Sequence, residues 1–233
     1  MDASVAILKL KKPKLVREIE FKFGVPLYAD IGSLVNEAEA LARKNGWALN
    51  PREESNRSVR YFDVVETHIL ALRNQTIREV TKYDESGNAR SIRYDYKTGT
   101  EKRFEANMLS PGILPPDKIF EYIPDGFYRD GESGLYKPLS FAANAETHHI
   151  KIGMAKEGTL LEVKFDHFKI GGDGEFRELE IELKKNNGIR GSNVMFKELV
   201  ALFDSILSGK YSLFHYSSQK YTRVLFSLIT PTK

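Results

Sequence analysis

The chain has 233 residues, 41% hydrophobic and 29% charged, with no Cys, which excludes a disordered or collagen-like polymer, a disulfide framework and a cysteine nucleophile. A reducing cytoplasm is the expected location, because no run approaches the ~18 apolar residues of a membrane span and no signal-peptide pattern opens the sequence. Thirty-five Lys and Arg against 32 Asp and Glu leave a net charge of +3, too small to mark a nucleic-acid binder.

Residues 1–15 read as a basic N-terminal arm, with Lys9, Lys11, Lys12 and Lys14 solvated around Pro13. From Val16 to Phe23 the order VREIEFKF alternates with strand period, and residues 33–45 then switch to helix period. Leu34, Val35, Ala38, Leu41 and Ala42 share one helix face, and Gly46 supplies the stop. Strands are expected over 58–65, 75–83, 90–97 and 102–109, with a hairpin turn at DESGN (84–88) and a further strand at KIFEYI (118–123). Three more cover 148–154, 159–170 and 176–184, the last two joined by the turn GGDG (171–174). A second helix should begin near Asn193 as N-cap and stop at Gly209, followed by a last strand in QKYTRVLFSLI. Residues 16–230 contain no repeat or linker, so one domain is expected. Its class is α+β, mainly antiparallel: an eight-stranded closed or nearly closed β-barrel with helices packed outside.

The chemistry lies in the polar faces of these strands. Glu18, Glu20 and Lys22 share one face of the first strand, and Glu178, Glu180 and Glu182 one face of a late strand. Side chains at i, i+2 and i+4 stand about 6.5–7 Å apart, where like charges repel. Glu162, Lys164 and Asp166 repeat the alternation, as do Arg93, Asp95 and Lys97, and Arg103 with Glu105. Both helices must bury an apolar face, and the apolar faces of the strands are where they can do so; the charged faces then point inward. An unpaired buried ion costs several kcal/mol, roughly. Carboxylates in such an interior are accounted for if they hold a hard divalent cation, and Lys and Arg if they grip phosphate oxygens.

EIEFKF (18–23) resembles the ExExK signature of the CYTH, or triphosphate tunnel metalloenzyme, superfamily. The order of the other pieces is similar: YFD (61–63), Ile77-Arg78, Tyr96-Lys97, Arg103 with Glu105, Leu161-Glu162-Val163 through Asp166, ELEIELK (178–184), and Ser218-Gln219-Lys220 with Arg223. The resemblance spans about residues 16–228. It implies a tunnel that binds Mg²⁺ or Mn²⁺ and a small triphosphate or polyphosphate substrate. Glu18, Glu20, Glu180 and Glu182 would hold metal, with Glu178 and Asp166 as further acidic candidates. Lys22, Arg78, Lys97 and Arg103 would hold phosphate, with Lys151, Lys220 and Arg223 beside them. Glu18, Glu20 and Lys22 would be the catalytic set.

Inorganic tripolyphosphate is the preferred substrate, because no base-recognition module is evident. Class IV adenylyl cyclases and thiamine or RNA triphosphatases share the resemblance, and a polyphosphate-binding module without turnover is the non-enzymatic alternative. Val80 stands where an Arg is usual two positions after Arg78, and Ala145–His149 contains no Arg downstream of Pro138-Leu139. His148, His149 or Lys151 would have to stand in there. No HExxH-type spacing occurs among the five His, which argues against zinc catalysis.

Overall fold

The alternation along VREIEFKF produces two strands, β1 (Val16–Glu18) and β2 (Glu20–Val25), parted at Ile19. The computed structural model describes residues 10–64, 68–99, 103–125, 139–171, 174–185 and 192–215, together with Lys220 and Val224. Nine further strands follow: β3 (Ala48–Leu49), β4 (Glu53–Asp63), β5 (Gln75–Tyr83), β6 (Ala89–Thr98), β7 (Arg103–Ser110), β8 (Ser140–Lys156), β9 (Thr159–Ile170), β10 (Gly174–Lys185) and β11 (Phe214–His215). All pair antiparallel, in the order β1-β7-β6-β5-β4-β8-β9-β10-β2-β11, with β3 beside β8.

β1 pairs with β7 and β2 pairs with β10, yet the two are successive stretches of one chain. At the changeover the Leu183 N–H donates to the Ile19 carbonyl at 2.9 Å. The sheet is thereby curled round towards itself, as a barrel that stays open rather than fully closed. With β1 and β2 taken as one interrupted strand, eight positions go round, and β4 is the fourth from it in either direction.

Two apolar layers cover the outside. Against β8, β9, β10 and β2 pack α1 (Ile31–Lys44), through Leu34, Val35, Ala38 and Ala42, and α4 (Ser192–Phe203), through Phe196, Leu199 and Phe203. α1 starts where the Asp30 carboxylate accepts from the Ser33 N–H at 2.9 Å, and it ends before Gly46, whose φ of +80° suits glycine. Phe62, Ile77, Tyr94, Tyr96, Ala106 and Met108 form the second layer, covered by α2 (Ile69–Leu72) and α3 (Pro116–Ile119) through Leu70 and Ile119. Leu10 and Leu15 of the expected basic arm pack against this layer. A fully buried Leu or Phe side chain contributes about 1.5–3 kcal/mol, whereas buried ion pairs return little beyond their desolvation cost. These outer layers, and not the charged interior, hold the barrel together.

Several expectations need correction. KIFEYI is not a strand: Lys118 and Ile119 end α3, and Phe120–Tyr122 form a 3₁₀ turn, started by Pro115-Pro116, with Ile119 and Ile123 buried. The late helix begins at Ser192, before Asn193, and continues through Gly209 at ordinary helical φ to end at Ser212, at φ +55°. Lys220 and Val224, the described residues of QKYTRVLFSLI, have helical backbone. The DESGN turn forms as expected, with Asp84 Oδ1 accepting from the Ser86 and Asn88 N–H groups and Gly87 at φ +80°. Lys9, Pro138, Gly172, Asp173, Ser218, Gln219 and Arg223 lie outside the described residues. Among the described residues no helix is long and apolar enough to cross a membrane.

Candidate functional site

The apolar sides of β2, β6 and β10 face the covering layers and their charged sides face the barrel axis, whereas β4, β5 and β9 also send Val59, Val80 and Phe168 inward beside the charges. Register then decides which charges meet. Glu180 lies opposite Lys22 on β2 and opposite Lys164 on β9; Glu178 lies opposite Asp166; Glu18 lies opposite Arg103. The three glutamates of β10 are therefore not an uninterrupted acidic row. Lys164 Nζ sits 2.7 Å from Glu180 and in contact with Glu182, which Lys184 also pairs at 2.7 Å. Lys220 reaches in to within 2.5 Å of both Asp166 and Glu178, and 3.4 Å of Glu180.

One acidic cluster has the form of a cation site. Oxygens of Glu18, Glu20 and Glu180 all lie within 4.8 Å of one another. Glu18 Oε2, Glu20 Oε2 and Glu180 Oε2 are buried and make no hydrogen bond. The other oxygen of each is paired, with Lys97 at Glu18, Arg103 at Glu20 and Lys164 at Glu180. The cations nearest these three Oε2 atoms stand off: Arg103 Nε is 3.4 Å from Glu18, Lys97 is 3.9 Å from Glu20, and Lys220 and Lys22 are 3.4 and 3.5 Å from Glu180. Buried carboxylate oxygens without donors are the chemistry a hard divalent cation satisfies, and the residues fit such an ion. Burial raises the Glu18 carboxyl above its ordinary value against the pull of Lys97, and Glu105 and Glu180 add to the rise. Burial acts the same way on Glu180, but Lys164, Lys220 and Lys22 together hold it well below the usual range. Lys22, 3.0 Å from Glu20, is lowered by burial despite Glu180 and Glu178.

Beside the triad the tunnel opens into a cavity of about 200 Å³. Eight Lys and Arg side chains and four carboxylates line it, so the wall carries an excess of positive charge. Arg78, Lys97, Lys151 and Lys220, all expected to hold phosphate, are among them. Arg103 lies deeper, at a small void it shares with Lys22, Arg78, Lys97 and Lys220. Glu178 and Glu182 are buried against lysines outside the three-glutamate cluster, and Asp166 is held by Lys220 and His149. Of the histidine pair, His149 faces the cavity and donates or accepts through Nδ1 with Asp166 at 2.5 Å, while His148 points outward beside Glu54. Burial lowers the His149 pKa against the attraction of Asp166.

Sequence reasoning missed Arg57, which lines the same cavity from β4. Counting back by twos from Tyr61 finds it, since Tyr61 faces Arg78 across β5. Asp63 of the YFD motif has a structural role: its carboxylate is fully buried and accepts from the Val64, Leu70 and Ala71 N–H groups at 2.7, 3.0 and 3.2 Å, anchoring α2.

No family model and no curated protein matches the sequence. Solved structures do match. A candidate adenylate cyclase from Bacillus halodurans superposes with a TM-score of 0.52 at 15% identity, covering 91% of this chain and 98% of that one. The PH1819 protein from Pyrococcus horikoshii gives 0.50 at 14% identity, covering 90% and 99%. This chain shares the fold of these two structures. The Pct1 RNA triphosphatase of S. pombe superposes more loosely, with a TM-score of 0.39 at 11% identity over 82% of this chain and 83% of that one.

The tunnel's acid stability can be read from its carboxylates. Burial would raise Asp95, but Arg93 (2.5 Å) and Arg78 (2.8 Å) hold it below the ordinary range; Lys97 likewise outweighs burial at Glu105. A carboxyl with a depressed folded pKa stabilises fully above its unfolded value, about 4, and that stability is lost as pH falls through the folded value. The melting temperature should hold above about pH 5 and fall below about pH 4. Asp95→Asn should melt lower at pH 7 and show a flatter acid limb; an unchanged acid limb would place its origin elsewhere.

Proposed function

We propose that the protein is a divalent-metal-dependent hydrolase of triphosphate-bearing substrates, with inorganic tripolyphosphate preferred. One observation carries this reading: a cavity wall with eight cationic side chains and four carboxylates adjoins three convergent glutamates, each with one buried oxygen that lacks a donor. Glu18, Glu20 and Glu180 would hold Mg²⁺ or Mn²⁺, with Glu178, Glu182 and Asp166 arranging the lysines around them. A bound divalent ion would neutralise phosphate oxygens and act as a Lewis acid. Lys22, Arg78, Lys97, Arg103, Lys151 and Lys220 would bind and orient the phosphate chain. In the reaction, water oxygen bonds to a terminal phosphorus, the bond from that phosphorus to the bridging oxygen breaks, and pyrophosphate leaves. Positioning and charge neutralisation supply most of the catalysis of such transfers.

The similarity to a candidate adenylate cyclase makes nucleoside triphosphates the competing substrates. The cavity favours an all-phosphate chain. Among the described residues its wall carries Phe168 and the His149 imidazole but no Tyr or Trp; Phe168 is stacked on Phe176 at 4.5 Å with the Lys220 ammonium 5.3 Å from its centroid, and His149 is held by Asp166.

The test measures orthophosphate released from tripolyphosphate and from ATP with Mg²⁺ or Mn²⁺, and cyclic AMP formed in the same tubes. Faster release from tripolyphosphate is expected. Cyclic AMP would move the assignment to the cyclases, and metal-dependent binding without phosphate release would leave a binding module.

A further inference from the structure

Arg57 stands apart from the other cations of the tunnel. Arg78 and Arg93 are both engaged by Asp95, Arg78 through Nε and NH2 at 2.9 and 2.8 Å and Arg93 through Nε and NH2 at 2.5 and 3.0 Å. Among the described residues Arg57 has no carboxylate within ion-pair distance. Among them its hydrogen bond is from Nε to Ser55 Oγ at 3.1 Å. Asp166, the carboxylate with the largest pull on it, is already paired with His149 and Lys220. Burial, together with the neighbouring Arg93 and Arg78, works against the charge on Arg57, yet a guanidinium does not lose its proton in a protein. Asp95 is shared by two of the three guanidiniums, and the nearby Glu105 and Asp166 are already paired with lysines, so this part of the wall carries an excess of positive charge.

The local sequence makes room for an anion there. Val59 and Val80 face each other across β4 and β5, and Val80 lies opposite Arg93 on β6. Two short apolar side chains therefore lie next to both guanidiniums, and all four line the cavity. β4 is the strand farthest round the barrel from β1 and β2, so Arg57 faces the Glu18–Glu20 wall from the opposite side. Arg78, Lys97 and Lys220 lie between, since they border both the cavity and the deeper void.

We propose that Arg57, supported by Arg93, forms a second phosphate subsite that takes the end of the chain farthest from the glutamate cluster and so selects substrates by phosphate-chain length. This rests on the triphosphate reading above. A free guanidinium fork suits two oxygens of a terminal phosphate. If a chain of three phosphates anchored at the glutamates spans to it and a chain of two does not, the two anions will differ in their dependence on Arg57.

The test is calorimetric titration of the full chain with tripolyphosphate and with pyrophosphate, each with EDTA and with Mn²⁺. Arg57→Gln should weaken tripolyphosphate binding about 10-fold to 100-fold, the range expected for a lost charge-assisted bond, and change pyrophosphate binding less than about 2-fold. Arg57→Lys keeps the charge without the fork and should fall between; if the Gln variant does not fold, the Lys variant decides. Melting temperature without ligand reports the fold. Unchanged discrimination between the two anions in a folded variant overturns the subsite while leaving the enzyme reading intact. Wild-type protein that binds neither anion overturns both.

Discussion

Glu20→Gln should abolish the rise in melting temperature that Mg²⁺ or Mn²⁺ gives the wild-type protein. An ion at 100 times its dissociation constant stabilises the folded state by about 2.7 kcal/mol. For a chain of this size that corresponds to roughly 5–10 °C. Gln has the shape of Glu but lacks its charge, and one of the three convergent carboxylates is lost. The variant should keep its fold, because Lys22 retains Glu180 at 3.5 Å and Arg103 retains Glu18 at 3.4 Å. Its metal-induced shift should fall below about 2 °C, and phosphate release should drop at least about 100-fold, since even outer-shell partners of metal ligands are worth 10-fold to 100-fold. Glu39→Gln removes a surface carboxylate paired with Arg52 and should leave the shift intact. Equal shifts in wild type and Glu20→Gln would remove the metal site from this cluster.

How much of this was legible beforehand depended on which side of a strand could be inferred. Strict alternation in VREIEFKF and FRELEIELK, together with two helices needing cover, was enough to turn Glu18, Glu20, Glu180 and Glu182 inward. Pairing was not legible, because register is a property of two strands. That Lys164 stands between Glu180 and Glu182, and that Glu18 rather than Glu178 joins Glu20 and Glu180, follows from the ladders alone. Arg57 was hidden because EESNRSVR is largely polar on both faces and the apolar residues that share its parity, Val59 and Tyr61, suggest an outward face, whereas Val59 lines the cavity. KIFEYI was misread because its short run fits a strand, while Pro115-Pro116 and the i, i+4 pair Ile119 and Ile123 carried the competing helical signal. The YFD aspartate was legible as a motif but not as the backbone anchor it is, since its partners Leu70 and Ala71 lie seven and eight residues on.

Lys220→Met should be the most destabilising single change in the tunnel. One ammonium serves Asp166 and Glu178 at 2.5 Å and Glu180 at 3.4 Å, and each of those carboxylates is at most 5% exposed. Removing one partner of a buried pair costs about 3–5 kcal/mol, because the other is left charged and dry. The melting temperature should therefore fall by roughly 6–20 °C at pH 7 without metal. A surface lysine would cost about 1 kcal/mol or less. The double variant Lys220→Met/Glu178→Gln discriminates further. If the loss comes from uncompensated charge, removing one carboxylate should restore a good part of the stability, whereas lost packing against Phe168 would leave the double variant no better than the single one. A fall of only a few degrees with no rescue would mean that the described end of the chain does not bring its lysine into the acidic interior, and the charge balance argued for the tunnel would have to be drawn without it.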